Sequence, residues 1–177
     1  MTGDLKKNNA ESLVKPIVAV LTSDVALLDD VVATLEERFG PCDFRGAWHP
    51  FNHTAYYEDE MGPHLMRAMC AFEKLIPGYE AHQFKAWTAA IEERYRRDGK
   101  RVVNLDPGYV DQLKVTLVSG KVGGHKVAVA AGVWVDYLLW YNKGWVAFPW
   151  AFPDFRDGTF FPEFTEIRKK FKEQIKK

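Results

Sequence analysis

The stretch RVVNLDPGYV, residues 101–110, decides the fold class because the spacing of apolar residues changes there. In much of the chain before it, apolar residues recur three or four positions apart, as in amphipathic helices. After it, they alternate or form short runs between turn residues, as in strands. Strands joined by short turns pair antiparallel, because parallel neighbours require a long crossover. The sequence therefore predicts an α+β protein, with helices packed on a single mixed, mostly antiparallel sheet.

The chain before this stretch opens with a predicted strand and helix. KPIVAVLTSD, residues 15–24, is an Ile- and Val-rich run typical of a buried strand. Ser23 or Asp24 then suits the N-cap of a helix that Gly40 terminates. Residues 42–51 favour a further strand.

Two more helices are predicted between residues 62 and 97. The first begins after Gly62-Pro63, and its apolar stripe consists of Leu65, Met69, Phe72 and Ile76. The second covers about residues 80–97 and is expected to turn Glu92 outward.

The chain after residue 100 is predicted to contain five strands, then a loop over residues 152–164, and a last helix over 162–176. Asn142-Lys143-Gly144 is a turn signal between the last two strands. The strand stretches are 101–105, 113–119, 125–131, 133–141 and 145–150.

Length and charge limit the classes of protein. We expect a polar tail over residues 1–14 and one domain over 15–177. Lysine plus arginine balance aspartate plus glutamate at 24 each, which makes nucleic acid an unlikely partner. The N-terminus lacks signal-peptide features, no apolar run is long enough to span a bilayer, and the two cysteines have no metal or disulfide pattern. These features predict a soluble, cytoplasmic protein with no membrane partner.

Asp106 has two interpretations that the sequence leaves open. Asp-Pro-Gly after a strand is turn chemistry, with the carboxylate capping a backbone N–H. Alternatively, Asp106 is functional at a strand end, with Asn104 two residues earlier on the same face.

Histidines and carboxylates are concentrated in HPFNHTAYYEDEMG, residues 49–62. His49, His53, Glu58 and Glu60 suit a divalent-cation site or proton transfer. The same residues also suit structure, because acids favour a helix N-terminus.

Asp136 lies within the predicted strand GVWVDYLLWY, on the face that carries Trp134 and Trp140. A carboxylate between tryptophans needs a partner, and Lys114 or His125 is the candidate. A buried ion pair and a catalytic acid are both consistent with this pattern.

The glycine-rich stretch SGKVGGHK, residues 119–126, contains Lys121 and His125. Its backbone N–H groups suit phosphate binding, although the stretch lacks the P-loop pattern. An ordinary hairpin connection is the alternative.

Several motifs together resemble the prokaryotic domain-of-unknown-function family 4416. The resemblance covers about residues 15–175, and its most specific parts are YYEDEMG at 56–62 and VNLDPGY at 103–109. It implies no established reaction, and members often carry the label GTP-binding protein. The other motifs are KPIVAVLTSD, EERFGP, FEKLI and FPWAFPDFR.

The chain departs from this family pattern at two places. Asp136 stands where relatives tend to have Glu, and Trp-Ala-Phe-Pro-Asp-Phe stands where they tend to have Trp-Thr-Tyr-Pro-Asp-Tyr. The residues that match the family's motifs include Tyr57, Glu58, Glu60, Asn104, Asp106, Tyr109, Lys114 and His125.

Three functional hypotheses follow, and the sequence does not decide whether the protein is an enzyme. The first is a pocket that binds a nucleotide or other phosphorylated small molecule, with Mg²⁺ or Mn²⁺ as the candidate cation. The second is a protein- or base-binding module that uses Trp134, Trp140, Trp145 and Trp150. The third is a homodimer held by an edge strand, without ligand. For the first, the candidate catalytic residues are Asp106, Asp136 and Glu58, the metal ligands Asp106, Glu58 and Glu60, and the ligand-binding residues Asn104, Tyr109, Lys114, Lys121, His125 and Tyr57.

Overall fold

A computed structural model of the chain describes residues 12–54 and 56–176. Ten strands form one sheet with the order β10-β9-β7-β6-β1-β4-β2, in which β3 also pairs with β4, β5 with β1 and β8 with β9. The strands are β1 Leu13–Thr22, β2 Cys42–Arg45, β3 His49–Pro50, β4 Met66–Phe72, β5 Ile76–Pro77, β6 Val103–Val110, β7 Lys114–Ser119, β8 Val127–Ala130, β9 Val133–Tyr141 and β10 Trp145–Ala147. The helices are α1 Leu28–Phe39, α2 Glu58–Met61, α3 Phe84–Arg94, α4 Pro153–Arg156 and α5 Phe161–Gln174.

The pairings in the described residues are all antiparallel, which confirms the predicted α+β fold. β1 lies at the centre, and helices cover both of its faces. Val18 and Val20 pack toward α1 and α3, whereas Ile17 and Ala19 pack toward α5. Burial on both faces explains why β1 is a continuous apolar run rather than an alternating one.

The predicted polar tail, residues 1–14, lies mostly outside the described residues. Its end does not: Leu13 and Val14 already belong to β1 and pair with β5.

The largest error of the sequence prediction is the helix assigned from Leu65 to Ile76. That stretch is β4, whose residues Met66–Phe72 pair with β1 along one edge and with β2 and β3 along the other. Met69 and Ala71 face α5, and Cys70 and Phe72 face α1 and α3. A strand buried on both faces has no alternation, so its periodicity does not distinguish it from a buried helix.

The predicted turn at Asp106-Pro107-Gly108 is also wrong. All three residues lie inside β6, where they pair with Ala19, Val18 and Ile17 of β1.

Smaller differences occur at element ends. Neither Ser23 nor Asp24 caps α1, because a 3₁₀ turn at Val25–Leu27 precedes that helix. The strand predicted over residues 42–51 is divided into β2 and β3, and the loop over 152–164 contains α4. Glu92 is buried rather than exposed. The turn at Asn142-Lys143-Gly144 is confirmed, with Lys143 at φ 59°.

None of the helices in the described residues is long and apolar enough to cross a membrane.

Candidate functional site

The sheet divides where β6 and β7 separate. β1 pairs with all of β6, but β7 pairs only with Gly108, Tyr109 and Val110. Further along, β7 stays with β9 and leaves one edge of β6 without a strand. Side chains of α3 occupy that edge instead: Leu105 N donates to Glu92 Oε1 (2.8 Å), and Lys85 Nζ donates to Leu105 O (3.0 Å).

Pro107 lies at the point where the two strands separate. Alternate residues of a strand direct their N–H and C=O groups toward the same neighbour. Those of Leu105 face away from β1, so the nitrogen of Pro107 faces the same way, and it lacks an N–H to donate. At Gly108, the next residue, β6 pairs with β7 again. Glycine is needed at this position because a Cβ would overlap the carbonyl oxygen of Thr116 on β7. The Asp-Pro-Gly sequence therefore marks the end of a ladder rather than a turn.

A cleft of about 690 Å³ opens at this division of the sheet. Ligand pockets for small molecules commonly have volumes of about 300–1,000 Å³. The walls carry Lys85, Arg101, Lys121 and Lys126, the carboxylates Glu92, Asp106 and Asp136, and the aromatic rings of Phe51, Tyr56, Tyr57 and Phe152. The cleft is thus large enough for a nucleotide and has both charged and aromatic surfaces.

Arg101 is held at one end of the cleft by Glu60 of α2. Its Nε and Nη2 donate to the two carboxylate oxygens at 2.9 and 2.6 Å, and its Nη1 donates to Asn104 Oδ1 at 3.0 Å. The bonds from Arg101 lower the pKa of the Glu60 carboxyl. The guanidinium also lies 5.9 Å from the centre of the Tyr57 ring. This bidentate pair fixes the guanidinium that contacts Asn104.

Asp106 joins the cleft to a buried arginine. Arg67 Nη2 lies 3.5 Å from Asp106 Oδ2, and Arg67 Nη1 lies 2.6 Å from Asp154 Oδ2 of α4. The Arg67 guanidinium also lies 4.4 Å from the centre of the Phe51 ring. Asp106 keeps 22% of its side chain exposed, whereas Asp154 keeps 4%. Of the two carboxylates on Arg67, Asp106 is the one that a ligand in the cleft can reach.

Asp136 pairs with His125, which was one of the two partners predicted for it. Asp136 Oδ2 lies 3.3 Å from His125 Nε2, while Asp136 Oδ1 is buried without a hydrogen-bond partner in the described residues. Burial raises the pKa of the Asp136 carboxyl, and the charge of His125 opposes that rise. The other predicted partner, Lys114, is paired with Asp111 instead. The His125 ring stacks on Trp150, with the ring centres 5.8 Å apart.

The loop between β7 and β8 forms the rim of the cleft and contributes Lys121 and Lys126. Lys126 Nζ donates to Ser119 Oγ (3.2 Å) and to Lys121 O (3.4 Å). Lys121 Nζ lies 3.4 Å from the hydroxyl of Tyr56, on the opposite wall. Within the described residues, neither ammonium group has a carboxylate oxygen within 4.0 Å. Neither lysine is therefore held in a salt bridge, although the charge of Lys126 acts on the nearby Asp136 carboxyl and lowers its pKa against the effect of burial.

The structure brings most of the predicted site residues to this cleft. Tyr57, Asn104, Asp106, Lys121 and Asp136 line it. Glu60 and His125 contact lining residues, through Arg101 and Asp136.

Three predicted site residues lie elsewhere. Glu58 is exposed on α2, Tyr109 packs against the core beneath α1 and α3, and Lys114 is paired with Asp111. The described residues include no group of three or more His, Cys, Asp or Glu that could hold a metal ion, so Glu58, Glu60 and Asp106 do not form one such group.

Sequence reasoning missed Arg67, Lys85, Glu92 and Arg101. Arg67 had a usable signal, since a charged residue inside the apolar run MRAMCAF requires a buried partner. Glu92 and Lys85 had none, because their role depends on β7 leaving β6.

Comparison with known proteins assigns the family. The family model described as "Domain of unknown function (DUF4416)" matches residues 12–171. The chain belongs to the DUF4416 family. No curated protein and no solved structure matches the chain. The DUF4416 match covers β1 through most of α5, so the cleft and both of its walls lie within the family's domain.

Proposed function

We propose that this DUF4416 protein acts in the cytoplasm and binds a phosphorylated small molecule of nucleotide size in the cleft between β6 and β7. The observation that carries the proposal is the pair of ammonium groups at the rim, Lys121 and Lys126, which have no salt-bridge partner in the described residues. An anion bound there would gain charge-assisted hydrogen bonds without displacing a carboxylate.

The remaining charges of the cleft support this assignment. Lys85 is paired with Glu92, Arg101 with Glu60, and Arg67 with Asp106 and Asp154. Together these pairs comprise three cations and four carboxylates, so they fix side chains in position but supply no positive charge for a phosphate. The phosphate is therefore expected at the rim, and the rest of the ligand deeper, beside the aromatic rings.

Aromatic side chains suit the non-phosphate part of such a ligand. Tyr56 and Tyr57 lie on one wall with ring centres 5.0 Å apart, and Phe51 lies 6.1 Å from Tyr57. A planar ring packed against them gains buried apolar contact and stacking. The cleft thus offers ammonium groups for an anionic part of the ligand and aromatic rings for a planar part, and Tyr56 borders both because Lys121 Nζ lies 3.4 Å from its hydroxyl.

A divalent cation fits the cleft only together with the ligand. Asp106 is the one member of the predicted metal triad that lines the cleft. Phosphate oxygens would have to supply further ligands, as in sites where Mg²⁺ is bound by one or two carboxylates and a substrate.

The direct test is isothermal titration with GTP, ATP, inorganic phosphate and ribose 5-phosphate, each with and without Mg²⁺ or Mn²⁺. The variants are Lys121→Ala with Lys126→Ala, and Lys169→Ala on α5 as the matched control. We expect at least one ligand to bind the wild type and the control, and to lose about tenfold or more in affinity in the double variant. Binding that the double variant leaves unchanged would disprove the rim site, and no binding by any ligand would disprove the proposal.

A second candidate function is a docking surface on the outer part of the sheet. Trp140 and Trp150 are exposed, and Trp150 stacks on Phe148, which contacts Tyr137. Trp145, however, is buried against Phe164, so the four tryptophans do not form one surface.

The homodimer hypothesis has one structural feature in its favour, the edge strand β8, whose four residues are all exposed. Light scattering of the purified chain tests it, since a monomer at high concentration excludes that assembly.

A further inference from the structure

The amide of Asn104 has a single chemically consistent orientation. Its Oδ1 accepts a hydrogen bond from Arg101 Nη1 at 3.0 Å. A guanidinium has donors and no acceptor, so the amide oxygen must face Arg101 and the amino group must face away. Nδ2 is therefore assigned by hydrogen-bond chemistry rather than by the similar shapes of oxygen and nitrogen.

Arg101 cannot easily give up this contact. Glu60 binds it through two hydrogen bonds, and Glu92 Oε2 lies 4.0 Å from Arg101 Nη1. Bidentate hydrogen bonds between a guanidinium and a carboxylate fix the orientation of both side chains. Glu60 and Arg101 are thus positioning residues that hold the Asn104 side chain in place.

Nδ2 of Asn104 has no hydrogen-bond partner in the described residues, although the residue is only 4% exposed. Buried donors are nearly always paired, because an unmade hydrogen bond carries the full penalty of desolvation. Asn104 also lines the cleft, beside Tyr57, which contacts the same guanidinium. A buried, oriented and unpaired donor in the wall of a cleft indicates a partner supplied by a ligand.

We infer that Asn104 recognises a hydrogen-bond acceptor on the planar part of the ligand, and so selects a ring with a carbonyl (oxo) group over the same ring with an amino group. The inference rests on the proposed function, because it concerns the same cleft. An oxo group accepts the Nδ2 hydrogen bond, whereas an amino group directs its own donors at Nδ2 and leaves both sides unpaired. Sites built around a buried polar group discriminate strongly against a ligand that leaves it unpaired.

The experiment compares matched pairs of nucleotides by isothermal titration: inosine with adenosine 5′-monophosphate, and uridine with cytidine 5′-monophosphate. We expect the wild type to bind the oxo member of each pair about tenfold or more tightly. Asn104→Asp keeps an acceptor for Arg101 but replaces the Nδ2 donor by an acceptor, so the preference should disappear or reverse. The matched control is Asn142→Asp, in the exposed turn between β9 and β10, which should keep the wild-type ratio.

A second variant guards against misfolding. If Asn104→Asp does not unfold cooperatively, Asn104→Ser, which removes Nδ2 and retains a hydroxyl for Arg101, takes its place with the same expected loss of preference. Tight binding with equal affinities for oxo and amino nucleotides, or a ratio unchanged in the Asn104 variants, overturns this inference and leaves the phosphate site standing. No binding by any of the four nucleotides overturns it together with the nucleotide form of the proposed function.

Discussion

Arg67 Nη1 lies 2.6 Å from Asp154 Oδ2, and both side chains are almost completely buried. This contact joins the inner strand β4 to α4, next to the cleft residues Asp106 and Phe152. Phe51, Phe152 and Phe155 surround the guanidinium, with ring centres 4.4, 5.4 and 5.7 Å from it. The site therefore rests on one buried cation that must stay paired.

Asp154→Asn should destabilise the protein strongly, because it leaves the buried Arg67 charge without its closest partner. Removing one partner of a buried ion pair costs about 3–5 kcal/mol. Asp106→Asn is the matched control, since Asp106 is farther from Arg67 and is partly exposed. The free energies of unfolding in urea measure both effects. Equal losses in the two variants would contradict the assignment of Asp154 as the main partner.

Gly108→Ala should destabilise the protein by about 1–3 kcal/mol, the usual range for overpacking. The added methyl group would overlap Thr116 O and push β7 away from β6 where their pairing begins. Gly124→Ala, in the loop between β7 and β8, has open space around the new methyl group and should change stability by less than about 0.5 kcal/mol. Thermal unfolding of both variants tests the prediction. A Gly108→Ala protein as stable as the wild type would contradict the close approach of the strands.

Glu60→Gln should lower stability at neutral pH, and the difference from the wild type should shrink in acid. Arg101 lowers the pKa of Glu60 in the folded protein, so this pair stabilises the fold above the usual glutamate pKa of 4.5. The contribution is lost as the pH falls through the lower, folded-state pKa. The melting temperatures of the wild type and of Glu60→Gln, measured between pH 7 and pH 3, test this expectation.

Glu58→Gln is the control for that series. Glu58 is exposed on the same short helix, two residues earlier, and has no salt-bridge partner within 4.0 Å in the described residues, so its replacement should change the melting temperature little at pH 7. A Glu60→Gln difference that stays constant down to pH 3 would show that its charge is not what stabilises the fold.

Cys42 should react with iodoacetamide at neutral pH. The neighbouring Cys70 thiol, through a hydrogen bond, lowers the pKa of Cys42 to about 7, while the same contact raises the pKa of Cys70. The alkylation rate of the wild type should be half-maximal near pH 7 and level off between about pH 8 and pH 9, because the thiolate is the reactive form. Cys70→Ala should shift that profile toward higher pH. Alkylation that still accelerates beyond pH 9 in the wild type would contradict the contact, and Cys42→Ser should abolish labelling.

An element that buries one face and exposes the other shows this contrast in its sequence, and α5 was predicted correctly for that reason. α5 has Phe164, Ile167 and Phe171 on one buried stripe, and its outer face is charged, so its period shows directly in the sequence. β4 lacks such a contrast, because both of its faces are covered. Its helical interpretation failed for that reason, and the paired position of Arg67 was missed with it.

Candidate site residues were predicted in part for a related reason. Asn104, Asp106 and Asp136 interrupt apolar strands, and a polar residue in such a run is visible in the sequence. Of their partners, His125 was among the two candidates for Asp136, but the arginines that contact Asn104 and Asp106 were not recognised. Arg101 lies only 3 residues before Asn104, its hydrogen-bond partner. Glu60, however, lies 41 residues from Arg101, and Asp154 lies 87 residues from Arg67.

The fold class, the order of most elements and the polar residues of the buried sheet were predictable from the sequence. They depend on local periodicity and on the high cost of burying unpaired charge. The order of the strands and the end of the β6–β7 ladder at Pro107 and Gly108 became known from the three-dimensional structure. The cleft exists because β7 follows β9 away from β6 and side chains of α3 take over the free strand edge. That arrangement depends on contacts between residues distant in the chain, and no local pattern encodes them.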